Sequence, residues 1–245
     1  MSARFAFVVG TGRSGTHFLA RVLGTHPQVT DPFGGEEDRA LLLRVTEAAL
    51  DGRTRLPARN LWRYRWAGLR AGGRTYLDQH HPNLFFVPDI ARRMKGARFV
   101  ALWRDDVAVV ASMLNHEGAR DAGVRVWFET AARRPWPNPF LGPVDRPTFE
   151  AMSLVEKCAL RAVAHKTAMH RLRGREDVRI QPFDALVVDV DREAAAIFAH
   201  LGLPPAPTGV RADPATLTKW RDTLSEEEAA AVRAVAARYG EYDEA

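Results

Sequence analysis

Phe5-Ala6-Phe7-Val8-Val9-Gly10-Thr11-Gly12-Arg13-Ser14-Gly15-Thr16 is the stretch on which the fold turns. A short apolar run rich in Phe and Val reads as a strand over 4–9. A glycine turn follows, then a helix from about Thr16 to Leu23 that stops near Gly24, with Pro27 beyond. Physically the turn is an anion nest. Glycines let the backbone curl, so that successive N–H groups and the helix N-terminus point at negative charge. Ser14, Thr16 and His17 add donors, and Arg13 adds a fixed cation.

Three readings of this loop compete. Gly10, Gly12 and Gly15 satisfy the dinucleotide fingerprint of NAD-binding oxidoreductases. That reading needs an acid at the end of a second strand about 20 residues on. Asp31 stands near that distance, but no apolar strand precedes it. The run also resembles a phosphate-binding loop of kinases and other nucleotide phosphotransferases, yet Gly15 stands where the lysine belongs. A tight turn with no ligand would need only glycines, and Arg13, Ser14, Thr16 and His17 crowd this one.

Outward from the loop, the chain alternates strands and helices. Glu36 to Leu50 reads as a helix with acids in its first turn. Residues 51–73 mix Gly, Pro and Arg with Trp62, Tyr64 and Trp66. Thr75-Tyr76-Leu77 is a short strand before Asp78-Gln79-His80-His81-Pro82, and a short helix is expected from Asn83 to Met94. Arg98 to Trp103 is a buried strand, ended by Arg104-Asp105-Asp106 and followed by a helix from about Val107 to Leu114. Residues 116–148, broken by prolines, read as an irregular lid or binding loop. A helix from Phe149 to about Leu172, a strand at 178–180, a helix from Asp191 to His200 and a last helix capped by Ser225, with Glu228 completing the capping box, follow. This order predicts an α/β fold, a mostly parallel central sheet flanked by helices, in one domain spanning 1–245. In such sheets ligands sit beyond the carboxyl ends of the strands, so the Gly10 and Arg104 turns are expected to line one crevice.

Composition narrows the class. One cysteine, Cys158, rules out an internal disulfide and fits a reducing, cytoplasmic setting. No apolar run approaches the ~18 residues of a membrane span, and the short N-terminal run does not read as a signal peptide. The net charge of +5 is carried mostly by arginine. Without zinc spacing or a helix-turn-helix signature, it fits an anionic small-molecule site better than nucleic acid.

Gly12-Arg13-Ser14-Gly15-Thr16-His17-Phe18-Leu19 resembles the phosphosulfate loop of sulfotransferases that use 3'-phosphoadenosine 5'-phosphosulfate (PAPS), with features of bacterial and tyrosylprotein-type members. The resemblance implies that Arg13, Ser14, Gly15 and Thr16 cradle the 5'-phosphosulfate. His17 replaces a second hydroxyl residue, and Phe18 takes a position often held by Trp near the adenine. Ala101-Leu102-Trp103-Arg104 through Ser112 is similar to the family's 3'-phosphate segment, in which an arginine and a serine eight residues later bind that phosphate; Arg104 and Ser112 have this spacing. Asp106 replaces the family's proline. Near the C-terminus, Thr218-Lys219-Trp220-Arg221 resembles a late basic loop that folds over the nucleotide, which makes Lys219 a phosphate contact and Trp220 a wall. Gln181 to Leu186 and Leu201 to Pro204 resemble scaffold segments. The product implied is adenosine 3',5'-bisphosphate (PAP).

Sulfuryl transfer needs a base for the acceptor and positive charge at the bridging oxygen. No metal is required where arginine, lysine and backbone N–H groups supply that field, and Asp78 with His80 and His81 lacks a third clear ligand position. The resemblance leaves two sources for the base. Glu36 or Glu37, in Gly34-Gly35-Glu36-Glu37-Asp38-Arg39, matches the glutamate of tyrosylprotein-type and several bacterial members. His80 or His81 matches the catalytic histidine of cytosolic-type members, with Gln79 where a lysine is expected. Histidine titrates near ~6.5 in isolation, whereas a glutamate near ~4.3 would need burial. Acceptor specificity is expected in residues 55–70 and 116–148, where Arg120, Arg125, Arg133 and Arg134 stand with Trp127, Trp136 and Phe140. A carbohydrate, a phenol or another small metabolite remains open as acceptor, as does the oligomeric state, a dimer included.

Overall fold

The computed structural model describes residues 4–31, 36–116, 122–131 and 134–242, with backbone alone for 4, 36–38, 122, 123, 126, 130 and 131. Five strands form one parallel sheet. β1 (Arg4–Gly10) lies at its centre, between β3 (Thr75–Asp78) and β4 (Ala97–Trp103). β2 (Val29–Thr30) pairs with β3, and β5 (Val178–Pro182) pairs with β4, giving the order β2-β3-β1-β4-β5. The helices are α1 (Thr16–Gly24), α2 (Glu36–Leu50), α3 (Ala58–Arg70), α4 (Val87–Arg93), α5 (Asp106–Leu114), α6 (Ala122–Ala131), α7 (Arg146–Ala151), α8 (Leu154–His170), α9 (Phe183–Val188), α10 (Val190–His200) and α11 (Glu226–Tyr239).

Both sheet faces are covered, as an all-parallel sheet requires. Alternation along β1 sends Phe5, Phe7 and Val9 into one core with Tyr76, Phe99 and Ala101, under α2, α3, α5, α8 and α11. Ala6 and Val8 go to the other face with Leu77, Val100 and Leu102, under α1, α9 and α10. The Phe7 and Phe99 rings stack at 5.3 Å across the β1–β4 register, and Tyr64 meets Phe7 edge-on at 5.3 Å. From β1 the chain reaches β3 on one side and β4 on the other. This reversal opens a crevice beyond the carboxyl ends of β1 and β4.

Residues 58–70, read above as a mixed stretch, form α3. Leu61, Tyr64, Ala67 and Gly68 recur at helical spacing and are buried, while the arginines and Trp62 between them face outward. Asn60 is buried as well and donates to the Leu41 carbonyl at 3.2 Å, tying α3 to α2. The Asn83–Met94 segment is a 3-10 turn (His81–Phe86) that runs into α4. The expected helix from Phe149 divides into α7 and α8. Ser153 breaks it because its side chain and that of Glu156 form a capping box that starts a new helix. The capping box at Ser225 and Glu228 starts α11. Within 116–148 the described residues include a helix, α6.

Candidate active site

The site grows from the turn after β1. Arg13 has φ 76° and Gly15 φ 100°, two left-handed residues flanking Ser14. For a non-glycine residue this conformation is costly, and it is a feature of functional turns. Here it curls the backbone N–H groups inward. Ser14 N donates back to Thr11 O at 3.0 Å, which tightens the turn. Gly15 precedes α1, and no side chain caps that helix, so its first N–H groups face the crevice. A side chain at Gly15 would stand 2.5 Å from the Phe183 ring, so the backbone lies directly against the start of α9.

The second anchor meets the first. Arg104 leaves the end of β4 and donates to the Arg13 carbonyl at 3.2 Å and to the Thr216 carbonyl at 3.2 Å. Its guanidinium lies 4.4 Å over the Phe183 ring. Burial lowers its pKa, against the raising influence of Asp184 and Asp105. Arg13 Nε in turn donates to Ser112 Oγ at 3.3 Å, from the loop to the surface of α5. Asp105 caps α5 by accepting from Ala108 N at 2.8 Å, which fixes the direction in which Ser112 is presented. Asp106 is buried instead and pairs with Lys166 at 3.0 Å.

These groups open on a cavity of about 880 Å³. Gly12, Arg13, Gly15, Thr16, His17 and Phe18 line it from the loop, and Arg104 and Ser112 from the second anchor. His81 enters from the turn after β3, and Phe183 from the start of α9. The carboxyl ends of β1, β3, β4 and β5 thus all contribute. Arg13, Arg21, Arg39, Arg104, Arg134, Arg161 and Arg211 face the cavity, against the acids Glu47 and Asp213 among the described lining residues. Such a surplus of cations in a walled cleft favours a polyanion. Buried atoms without a hydrogen-bond partner among the described residues include Ser14 Oγ, Arg104 Nε, Arg161 Nε and His81 Nε2. Arg104, Arg161 and His81 line the cavity, and since buried polar atoms are normally satisfied their unpartnered nitrogens fit an anionic ligand there; Ser14, expected in the cradle, is buried behind the turn and is not among the lining residues.

The two histidines part company. His80 is buried, its Nδ1 2.6 Å from Asp78 Oδ2 and its N–H bonded to Asp78 Oδ1 at 3.0 Å. Asp78 also accepts from Asn83 Nδ2 at 2.8 Å and from Tyr76 at 3.3 Å. This carboxylate therefore organises the turn that carries His81 to the cavity. His81 is held neutral, its pKa well below the ordinary value, first by burial and then by the charge of Arg161. Glu36 and Glu37 open α2 one turn before Arg39, but their side chains lie outside the described residues, as do Gly34, Gly35, Arg120 and Arg133.

Other expected residues stand elsewhere. None of residues 55–70 lines the cavity; α2 does so instead, through Arg39, Leu42, Leu43, Thr46, Glu47 and Leu50 on one face. Lys219 and Trp220 are not among the lining residues. Trp220 packs on the core, with Arg221 and Arg233 against its ring, and Arg211, Ala212, Asp213 and Thr216 border the cavity in that region. Trp127, Arg134 and Phe140 line it; Arg125 is exposed away from it, and Trp136 packs on Phe149 at 4.6 Å. Sequence reading missed Phe183, taken as scaffold, and Arg161, which sits among alanines and leucines in α8.

No family model matches the chain, and no curated protein matches it by sequence. Solved structures do match. The sulfotransferase domain from the curacin biosynthetic pathway superposes with a TM-score of 0.59 over 97% of each chain at 12% identity. A mouse sulfotransferase complexed with PAP gives 0.54 at 12% identity, covering 98% of this chain and 85% of its own. The sulfotransferase domain from the Synechococcus PCC 7002 olefin synthase gives 0.53 at 17% identity, covering 100% and 96%. The chain has the sulfotransferase fold: a parallel sheet flanked by helices, with the glycine turn at its centre. Among the described residues no helix is long and apolar enough to cross a membrane.

Proposed function

We propose that this protein is a PAPS-dependent sulfotransferase that moves the sulfuryl group to a hydroxyl, or an amine, of a small acceptor. The observation that carries this is the junction of the two anchors: Arg104 bonds the Arg13 carbonyl while Arg13 bonds Ser112. Two phosphate-binding segments far apart in sequence meet at one cavity, which suits a nucleotide with phosphates at both its 5' and 3' positions. Arg13 and the N–H groups after it hold the 5' side, where charge grows on the leaving oxygen. Arg104 and Ser112 hold the 3'-phosphate. Phe18 and Phe183, 6.4 Å apart and edge-to-face, give the base an aromatic wall.

Of the candidate bases, His81 is the one we assign. It lines the cavity, and its Nε2 has no hydrogen-bond partner among the described residues, which leaves that atom to the acceptor hydroxyl. His80 acts as a positioning residue through its bond to Asp78. The acceptor rests between the α2 stripe of Leu42, Leu43 and Leu50 and the opposite wall of Trp127, Phe140 and Leu141.

Calorimetry with PAP, ATP and NAD tests the donor assignment. PAP is expected to bind best, and Arg104→Ala to weaken it by roughly 10- to 100-fold, the loss of charge-assisted hydrogen bonds. Adenosine 5'-monophosphate should lose much less. A preference for ATP would favour a phosphotransferase, and a preference for NAD an oxidoreductase; either sinks the proposal.

A further inference from the structure

Arg161 is a cation in the wrong place for a structural residue. It lies inside α8, 5% exposed, between Cys158, Leu160 and Ala162, all buried. Among the described residues no carboxylate pairs with it, and its Nε is buried with no hydrogen-bond partner. Its guanidinium sits 4.6 Å from the Trp127 ring and 4.9 Å from the Phe140 ring. Burial brings its pKa down to about 10, so it stays charged at neutral pH. Aromatic faces return part of the hydration a buried guanidinium loses, and an anion supplies the rest. Met or Leu would fill the same volume without that cost.

The position identifies the anion. A side chain on Gly12 would stand 3.4 Å from Arg161 Nη2 and 3.0 Å from His81 Nε2. Arg161 and His81 therefore meet the phosphosulfate loop at the same residue, just ahead of Arg13. Arg104, Ser112 and Phe183 approach the loop from the α5 and α9 side. Trp127 and Phe140 border Arg161 from the acceptor wall. The point shared by Gly12, His81 and Arg161 is thus where donor and acceptor adjoin.

We infer that Arg161 is a further catalytic residue, which grips the non-bridging oxygens of the sulfuryl group as it passes from donor to acceptor. The inference rests on the proposed donor. In that step a lone pair of the acceptor oxygen forms the new bond to sulfur. The bond from sulfur to the bridging oxygen breaks, and its electrons stay on the 5'-phosphate of PAP. The acceptor's proton goes to His81 Nε2. Arg161 keeps its own protons and donates hydrogen bonds throughout, in a planar fork suited to two oxygens of one group.

PAPS carries the sulfuryl group and PAP does not, so paired affinities isolate the contact. Arg161→Met should lower PAPS affinity about 10- to 100-fold and leave PAP within about threefold of wild type. Arg161→Lys, which keeps charge without the fork, should fall between. Retained PAP binding and a cooperative thermal transition report that the variants fold; if R161M does not fold, R161K carries the test with a loss of about tenfold for PAPS alone. Equal effects on both nucleotides, or none on either, overturn the assignment of Arg161. Wild-type protein that binds no PAP overturns the donor reading and this assignment with it.

Discussion

His165 lies one turn beyond Arg161 on α8, fully buried against the rings of Phe85 and Phe140 at 4.9 and 4.6 Å. Its pKa is well below the usual histidine range, because of burial first and then the charge of Arg161. The sign follows. Below pH ~6.5 the unfolded chain takes up a proton at this position and the folded chain does not. The stability this neutral ring permits is therefore complete above pH ~6.5 and is lost as pH falls. Each such histidine contributes a slope of about 1.4 kcal/mol per pH unit. In urea unfolding without phosphate or sulfate, His165→Gln should lose about one proton's slope between pH 6 and 5 relative to wild type, and run parallel above pH 7.5. Parallel curves at all pH values would mean that His165 is charged in the fold. At this scale the loop residues were legible. The turns at Arg13 to Thr16 and at Arg104 follow strand ends, which glycine and apolar patterning mark in the sequence, whereas Ser112, two turns into α5, was singled out only by the family resemblance. Arg161 was not, because its sequence neighbours describe only a buried helix.

The α5, α8 and α11 layer is held by a buried ion pair as well as by apolar packing. Lys166 Nζ lies 3.0 Å from Asp106 Oδ2, both side chains being 5% exposed or less. Tyr242 donates to the same oxygen at 3.0 Å, which fastens the segment after α11. The ammonium is 4.8 Å over Trp103, at the end of β4. Breaking such a pair from one side leaves a buried charge, at a cost of about 3–5 kcal/mol. Lys166→Met should show that loss in urea unfolding, and adding Asp106→Asn should recover part of it. A loss below about 1 kcal/mol would mean that water reaches Asp106. Most elements were readable from Phe/Val runs and glycine or proline stops. α3 was not. Its buried residues are few, and the Arg and Trp residues between them mask the helical period until the sheet supplies a surface to pack on. The α7–α8 break was also missed, since Ser153 continues the composition of the run and acts only through its cap.

Across the molecule, the cavity has two characters. Arg13 and Arg104 border it with the loop and Phe183, while Leu42, Leu43 and Leu50 of α2 and the Trp127, Phe140 and Leu141 side chains supply apolar surface, with Arg39, Arg134 and Arg161 set among them. An acceptor with an aromatic or aliphatic body suits that wall, since apolar surface gains about 25 cal/mol per Å² on burial. PAP release from PAPS should be faster with phenols and medium-chain alcohols than with hexoses. Turnover with hexoses alone would reject this acceptor class. By itself the sequence determined the alternation of strands and helices, the parallel sheet and the anion nest, because these depend on periodicity and on backbone turns that short runs encode. Only the tertiary structure decided that Arg13 joins Ser112 and Arg104, that α2 rather than α3 faces the cavity, and that Arg161 reaches Gly12. Those contacts join segments remote in sequence, and burial, which gives an unpaired charge its meaning, is a property of the packed chain alone.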